Sequence, residues 1–444
     1  MDQNASSPTG TVAALRSPPD LGDTLKDSAS TGSCAALTRR GPLPTPIVFD
    51  GCFGWLHTGT GGGGDVAVML CCGLIRDALD SHHSFRLLAD RLAAAGYPTM
   101  RFDYPGTGDS CDMPDGECGV AWLRSVQNGV DWLRAATGAQ RIVLCGLRIG
   151  ATLAALAAEH RNDIAGLILL APVLRGHSYI QQLRVEAQLH SGSSTSRSDG
   201  LDFQELRLSP KAVALIGGMD LRKVELTPKQ PVAVFARADS RLLSECLQAW
   251  TLRGVQTACF GFDGLEPMLR HNTQGEGVPA DFSEIVAWLL KAVPAQANPE
   301  TVPYLPAPIR MKHPGCIETP LRFGPDDRLF GILCCPDGPG ADTALIIGNT
   351  GRDPHYGPAR FAVGLARRLA AEGIASLRID FAGVGDSIGH DGKETLLSRL
   401  FEDDRTPDIS AAIDALERQG YRRFGAHGVC AGAYHALHAA LADT

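Results

Sequence analysis

The chain alternates short apolar runs with amphipathic stretches, and it runs through the same series twice. VAVMLCC (66–72) and ALIIGN (344–349) are short apolar runs that predict strands buried on both faces. Each is followed by an amphipathic stretch that predicts a helix. Leu88, Leu92 and Ala95 share one face in the first, and Phe361, Leu365 and Leu369 play that part in the second. Next come a short strand (PTMRFDY; ASLRIDF), a Gly-Asp turn and another helix. A strand then runs into a Gly-x-x-x-Gly turn and a helix of small residues. Strands alternating with helices predict a parallel sheet covered on both faces, with ligands gathering at the carboxyl ends of the strands.

The two series share a register. Phe53-Gly54-Trp55-Leu56 is echoed by Phe330-Gly331-Ile332-Leu333, and FDYPGTGDS (102–110) by IDFAGVGDS (379–387). Phe53 and Phe330, Gly96 and Gly373, and Gly106 and Gly383 are each 277 positions apart. One offset at three separate features predicts a duplicated domain. Between the copies, Pro294, Pro299, Pro303, Pro306, Pro308 and Pro314 fall within residues 292–315. Proline at that density predicts a stiff linker. The Ser/Pro/Gly/Thr-rich residues 1–42 predict disorder, with no basic and apolar stretches of a secretion signal.

Composition narrows the function classes. Of 444 residues 44% are hydrophobic and 20% charged, which fits a globular protein with room for two or three domains. A net charge of −8 and a pI near 5.9 give no footprint for nucleic acid. No apolar run reaches the roughly 18 residues of a membrane span. Thirteen cysteines include Cys71, Cys72, Cys334 and Cys335 inside apparent strands, without the paired spacing of a zinc site. A reducing cytoplasm is the expected location, and neither a cofactor nor a metal is expected.

The chemistry is expected at the two Gly-x-x-x-Gly turns. The first reads LCGLRIGA, with Arg148 between Gly146 and Gly150; the second reads AHGVCAGA, with Cys430 between Gly428 and Gly432. Flanking glycines let strand and helix pack closely around a strained residue that projects above the sheet. On these turns and on the repeated FDYPGTGDS and IDFAGVGDS motifs, the chain resembles the α/β-hydrolase superfamily, including serine-aminopeptidase-like hydrolases. More narrowly, the Gly-Leu-Arg-x-Gly-Ala turn and the Gly54-Trp55-Leu56-His57 entry resemble bacterial hydrolases encoded with exosortase and polysaccharide-export systems. NTGRDPHYGPAR (349–360) and GVCAGAYHALHAA (428–440) resemble a companion group with cysteine at the turn.

The resemblance implies the fold class: α/β, a mostly parallel doubly wound sheet of the α/β-hydrolase type, in a complete first copy (43–291) and a C-terminally truncated second (316–444). It implies a cap at about 176–228, and a hydrolase acting on a small-molecule ester or thioester, or an acyltransferase. Arg148 holds the nucleophile position of the first copy, and a permanently protonated guanidinium is not a nucleophile. It reads either as an anion-binding group at a helix N-terminus or as the mark of an inactivated domain kept for its fold. Asp239 and His271 follow the strands where this fold places its acid and base; Asp239 could instead pair with Arg148, and His271 could be a solvated loop histidine. Cys430 is the expected nucleophile, its thiolate favoured by the helix dipole, or else a small residue in a tight turn. The oxyanion hole would combine the Ala431 N–H with an N–H around Asn349 to Gly351. Fourteen residues follow Cys430, so the strands for its acid and base are not expected in that copy, and His435 and His438 sit on a helix leading away. A pseudo-enzyme serving as a binding or scaffold protein is the rival reading.

Overall fold

The computed structural model describes residues 42–59, 64–74, 76–113, 118–191, 200–203, 206–237, 240–269, 281–296, 309–389 and 395–442. All of them lie in one compact unit, Thr38–Thr444. In chain order the first half carries β1 (Thr45–Phe49), β2 (Cys52–His57), β3 (Val66–Cys71), α1 (Arg76–Ala94), β4 (Thr99–Phe102), α2 (Cys118–Thr137), β5 (Arg141–Leu147), α3 (Ile149–Ala158) and β6 (Ile164–Leu170). It continues with α4 (Gly176–Ser191), β7 (Leu201–Phe203), β8 (Leu206–Leu208), α5 (Pro210–Gly217), β9 (Val232–Phe235), α6 (Arg241–Leu252), β10 (Thr257–Phe260), α7 (Leu265–Leu269) and α8 (Asp281–Ala292). The second half carries β11 (Met311–His313), β12 (Cys316–Phe323), β13 (Leu329–Pro336), β14 (Thr343–Ile347), α9 (Phe361–Ala371), β15 (Ala375–Asp380), α10 (Thr406–Arg418), β16 (Arg423–His427) and α11 (Ala431–Ala442).

The fold is α/β. Among the described residues the first half forms an eight-stranded sheet of order β1-β2-β4-β3-β5-β6-β9-β10, parallel from β4 onward. The second forms a six-stranded sheet of order β11-β12-β13-β15-β14-β16. Strands β12, β13, β15, β14 and β16 repeat the order and senses of β1, β2, β4, β3 and β5. The apolar strand β3 is buried at every position, as its uninterrupted run of apolar residues predicts. Helices on both faces complete separate core clusters around it.

Two expectations shift. The buried face of α9 is Ala362, Val363, Ala366 and Ala370, whereas Phe361 is 46% exposed and Leu365 and Leu369 only flank the core. Small alanines let this helix lie close on the sheet, and the larger side chains are displaced to its margins. The end of the Pro-rich stretch is not all linker either: Met311–His313 pairs antiparallel with Glu318–Cys316. Residues 176–228 hold α4, a two-stranded ribbon of β7 and β8, and α5, whose N-terminus is capped by the Ser209 hydroxyl.

The repeated Gly-Asp turn is built identically in both halves. Asp103 accepts from the Asp109 N–H and Asp380 from the Asp386 N–H, at 3.1 and 2.9 Å. Ser110 and Ser387 donate to the carbonyls of Asp103 and Asp380, both at 2.7 Å. The same hydroxyls accept from the N–H of Phe53 and Phe330, both at 2.9 Å. A side chain at Gly108 or Gly385 would collide with the carboxyl of Asp103 or Asp380, and both glycines have positive φ. The motif therefore repeats because one carboxylate organises each turn and leaves no room for a Cβ.

The halves meet across these turns. Phe53 stacks on Phe330 at 6.5 Å between centroids, Trp55 meets Phe330 edge-on at 4.5 Å, and Met311 and Ile332 complete the cluster. Asp109 accepts from Arg378 at 2.9 Å and from His355 at 2.6 Å. Reciprocally, Asp386 pairs with Arg101 and lies 3.3 Å from His82. Arg101 and Arg378, like Asp109 and Asp386, are 277 positions apart. The contact is thus two-fold in character, each turn carboxylate reaching the other half's strand arginine.

Candidate active site

Both Gly-x-x-x-Gly turns connect a parallel strand to a helix at the carboxyl end of a sheet. Arg148 sits at φ 55° and ψ −120°, and Cys430 at φ 56°. A non-glycine residue in that region is strained and is held there by its surroundings. The flanking glycines explain how. A side chain on Gly150 would strike the carbonyls of Cys71 and Cys72 at the end of β3. One on Gly432 would lie 2.6 Å from the Asn349 carbonyl oxygen, at the equivalent end of β14. Gly146 and Gly428 are pressed in the same way against the first turns of α3 and α11. Only glycine allows this approach, and the close packing brings the helix N-terminus against the preceding loop.

In the second half this brings Gly432, two residues after Cys430, against the Asn349 carbonyl. Cys430 is exposed and Ala431 is buried. Asn349 is buried and fully engaged: its amide donates to the Asp353 carbonyl and to Asp380, both at 2.8 Å, while its oxygen accepts from Phe381 N–H at 2.7 Å. Gly351 lies two residues on, at φ 62°. A cleft beside the turn is lined by Asn349, Thr350, His355, Phe361, His427 and Val429. His435 is turned inward and bonded to the Leu400 carbonyl at 2.8 Å, and burial lowers its pKa. His438 packs against Tyr434 with 4.2 Å between centroids and the rings tilted by 46°. Neither histidine addresses the thiol.

In the first half Arg148 occupies the projecting position. Its Nε lies 3.6 Å from Asp77 in the first turn of α1, and its Nη2 donates to Gln182 of α4 at 3.0 Å. Gln182 in turn donates to Glu186 at 2.8 Å. Burial raises the Asp77 carboxyl above its ordinary range, and Arg148 works against that rise. The guanidinium therefore ties the end of β5 to α1 and α4. Asp239 and His271 lie outside the described residues. Asp77 and Gln182 were not singled out from sequence; nothing local to Asp77 marks it as a partner for a residue 71 positions on.

A pocket at the contact of the halves is lined by Phe53, Trp55, His82, Asp103, Tyr104 and Tyr356, among others. Burial pushes the Asp103 carboxyl up to about 6, and the neighbouring Asp109 carboxylate adds to the rise. Opposite it, Asp386 is held well below the usual carboxylate range: burial acts against this, and Arg101 and His82 outweigh it. His355 is clasped by Asp109 on one ring nitrogen and Asp380 on the other. Burial opposes its protonation, but the two carboxylates prevail and hold it well above the usual histidine value, as the cation.

Fold and turn together define an α/β protein with two strained strand–turn–helix connections, with arginine at the projecting position of one and cysteine at that of the other. Residues 65–216 match the family described as serine aminopeptidase, S33, which lies within the α/β-hydrolase superfamily. A thermostable monoacylglycerol lipase of Bacillus sp. (strain H-257) is 33% identical over 105 residues, 24% of this chain and 40% of the lipase. Among solved structures, an esterase of Pyrococcus furiosus is similar at a TM-score of 0.39, with 13% identity over 56% of this chain and 90% of its own. Est1E of Butyrivibrio proteoclasticus has a TM-score of 0.38, with 16% identity over 57% of this chain and 99% of its own. Among the described residues no helix is long and apolar enough to cross a membrane, and no cluster of His, Cys, Asp and Glu has the arrangement of a metal site.

Proposed function

We propose that the chain is an ester- or thioester-cleaving α/β hydrolase in which Cys430 is the nucleophile. The observation that carries this reading is the exposed Cys430 at positive φ, between two glycines that admit no side chain and at the N-terminus of a helix. The thiolate would attack the acyl carbon, and the Ala431 N–H with one from Asn349 to Gly351 would receive the oxyanion. Asp239 and His271 are proposed as acid and base of the first copy, where Arg148 removes the nucleophile. The repeated strand order and the 277-residue offset favour a tandem duplication, the second copy corresponding to the N-terminal part of the first. The link to exopolysaccharide biosynthesis or export rests on the resemblance of the two turns and the Gly-Trp-Leu-His entry.

A second reading has its own observation: Arg148, paired with Asp77 and bonded to the cap through Gln182, fills the first site. On that reading the first copy is a binding or scaffold element. Hydrolysis of fluorogenic short-chain esters and thioesters by wild type, Cys430→Ala and Arg148→Ser separates the two. Turnover that disappears in Cys430→Ala and survives in Arg148→Ser supports the cysteine site. Absence of turnover in wild type, with a thiol no more reactive than free cysteine, rejects it and leaves the binding reading.

A further inference from the structure

The loop expected to supply half of the oxyanion hole beside Cys430 is held by a residue of the other half. Asp109, in the Gly-Asp turn of the first half, accepts from His355 Nε2 at 2.6 Å. His355 Nδ1 donates to Asp380 at 2.8 Å and its backbone N–H to the same carboxylate at 2.7 Å. Asp380 then accepts from the Asn349 side chain at 2.8 Å. Every member of this chain is buried, with Asp109 and His355 at 1% and 3% exposure and Asp380 and Asn349 at 0% and 1%. Arg378 braces Asp109 from beneath at 2.9 Å and is itself fixed by Glu318 at 2.6 Å. Asn349 is the residue whose carbonyl abuts Gly432, next to the Ala431 N–H.

We propose that Asp109 is a positioning residue for the Cys430 site: through His355 and Asp380 it fixes the 349–355 loop, so that the first half, which has no nucleophile at its own turn, pre-organises the oxyanion hole of the second. The inference rests on reading Cys430 as the acyl acceptor. An oxyanion donor misplaced by a fraction of an ångström loses much of its value, because the stabilisation depends on a donor already aimed at the developing charge. The proposal gives the first half a function that needs no nucleophile.

Two reactions of one thiol separate positioning from general damage. With a p-nitrophenyl ester, the Cys430 thiolate adds to the acyl carbon and the carbonyl π pair becomes the oxyanion. Its collapse expels p-nitrophenolate and leaves a thioester, the thiol proton having gone to water. With iodoacetamide the same thiolate displaces iodide in one step, and no oxyanion forms. The ratio of acylation to alkylation at the Cys430 peptide, followed by mass spectrometry on the full chain, therefore reports the hole and not the thiol. Wild type is expected to exceed the ratio for glutathione. Asp109→Asn is expected to lower it about tenfold with alkylation unchanged. Asp386→Asn breaks the mirror contact of the same interface and is expected to leave the ratio within about twofold of wild type. His355→Gln cuts the chain at its middle and is expected to match Asp109→Asn, so the test survives if one variant does not fold. Equal losses in Asp109→Asn and Asp386→Asn, or no loss in Asp109→Asn and His355→Gln, overturn the positioning role while leaving the nucleophile in place. A wild-type ratio equal to that of glutathione overturns the Cys430 reading itself and the inference with it.

Discussion

Arg148 projects from the strained turn between β5 and α3, and its surroundings suit a cation. Asp77 of α1 and Gln182 of α4 converge on the guanidinium. Arg148→Met would keep much of the stem and remove the charge, leaving a half-buried carboxylate without its cation. A loss of about 1–3 kcal/mol is expected in urea unfolding, the lower part of the range reflecting the partial exposure of the pair. Because Arg148 opposes the effect of burial, the Asp77 carboxyl should titrate higher still in the variant, which NMR of the carboxyl carbon would detect. If Arg148→Met unfolds at the same urea concentration and Asp77 does not move, the pairing is incidental.

Elements differ in how far local pattern determines them. Strand β3 and helix α1 were legible because an uninterrupted apolar run and an i, i+4 stripe each state which faces are buried. The face of α9 was not, because alanines carry little hydrophobic signal while the exposed Phe361 carries much. Of the site, the two strained turns could be read from glycine spacing alone. The Asp109–His355 contact could not, since it joins residues 246 positions apart and depends on how two sheets meet. Strand β16 shows the opposite problem, an element whose pattern is clear and whose setting is unusual. Its counterpart β5 is paired on both sides, whereas among the described residues β16 pairs only with β14. Beside it, Tyr434, Leu437 and Leu441 of α11 are 39%, 60% and 66% exposed. An open parallel edge next to apolar side chains invites association. Ala426→Lys, at an exposed position of that edge, is expected to reduce light scattering on concentration and to shift the unfolding midpoint by no more than about 0.5 kcal/mol.

At the scale of the whole molecule the two halves are joined by an apolar cluster and by buried ions, and the ions make the junction depend on pH. The carboxyl of Asp109 is lowered, burial being outweighed by His355 and Arg378, so its contribution is present above the ordinary carboxylate value near about 3.9. That contribution is lost as pH falls through the depressed folded value. His355 is raised well above about 6.5, so the folded chain binds a proton that the unfolded chain releases. Its contribution is complete below about 6.5 and is lost as pH climbs through the raised folded value. The group thus stabilises most between about pH 4 and 6.5, where the His355 imidazolium and the Asp109 carboxylate coexist. His355→Gln keeps a polar side chain of similar reach without the charge. The difference in unfolding free energy between wild type and His355→Gln, measured in urea across pH 3 to 9, should therefore peak in that window and shrink on either side. A difference that grows steadily toward alkaline pH would mean that His355 is neutral in the folded protein. The two-carboxylate clasp would then have to be discarded as the junction's main electrostatic bond, because a neutral imidazole has one N–H and can donate to only one of Asp109 and Asp380.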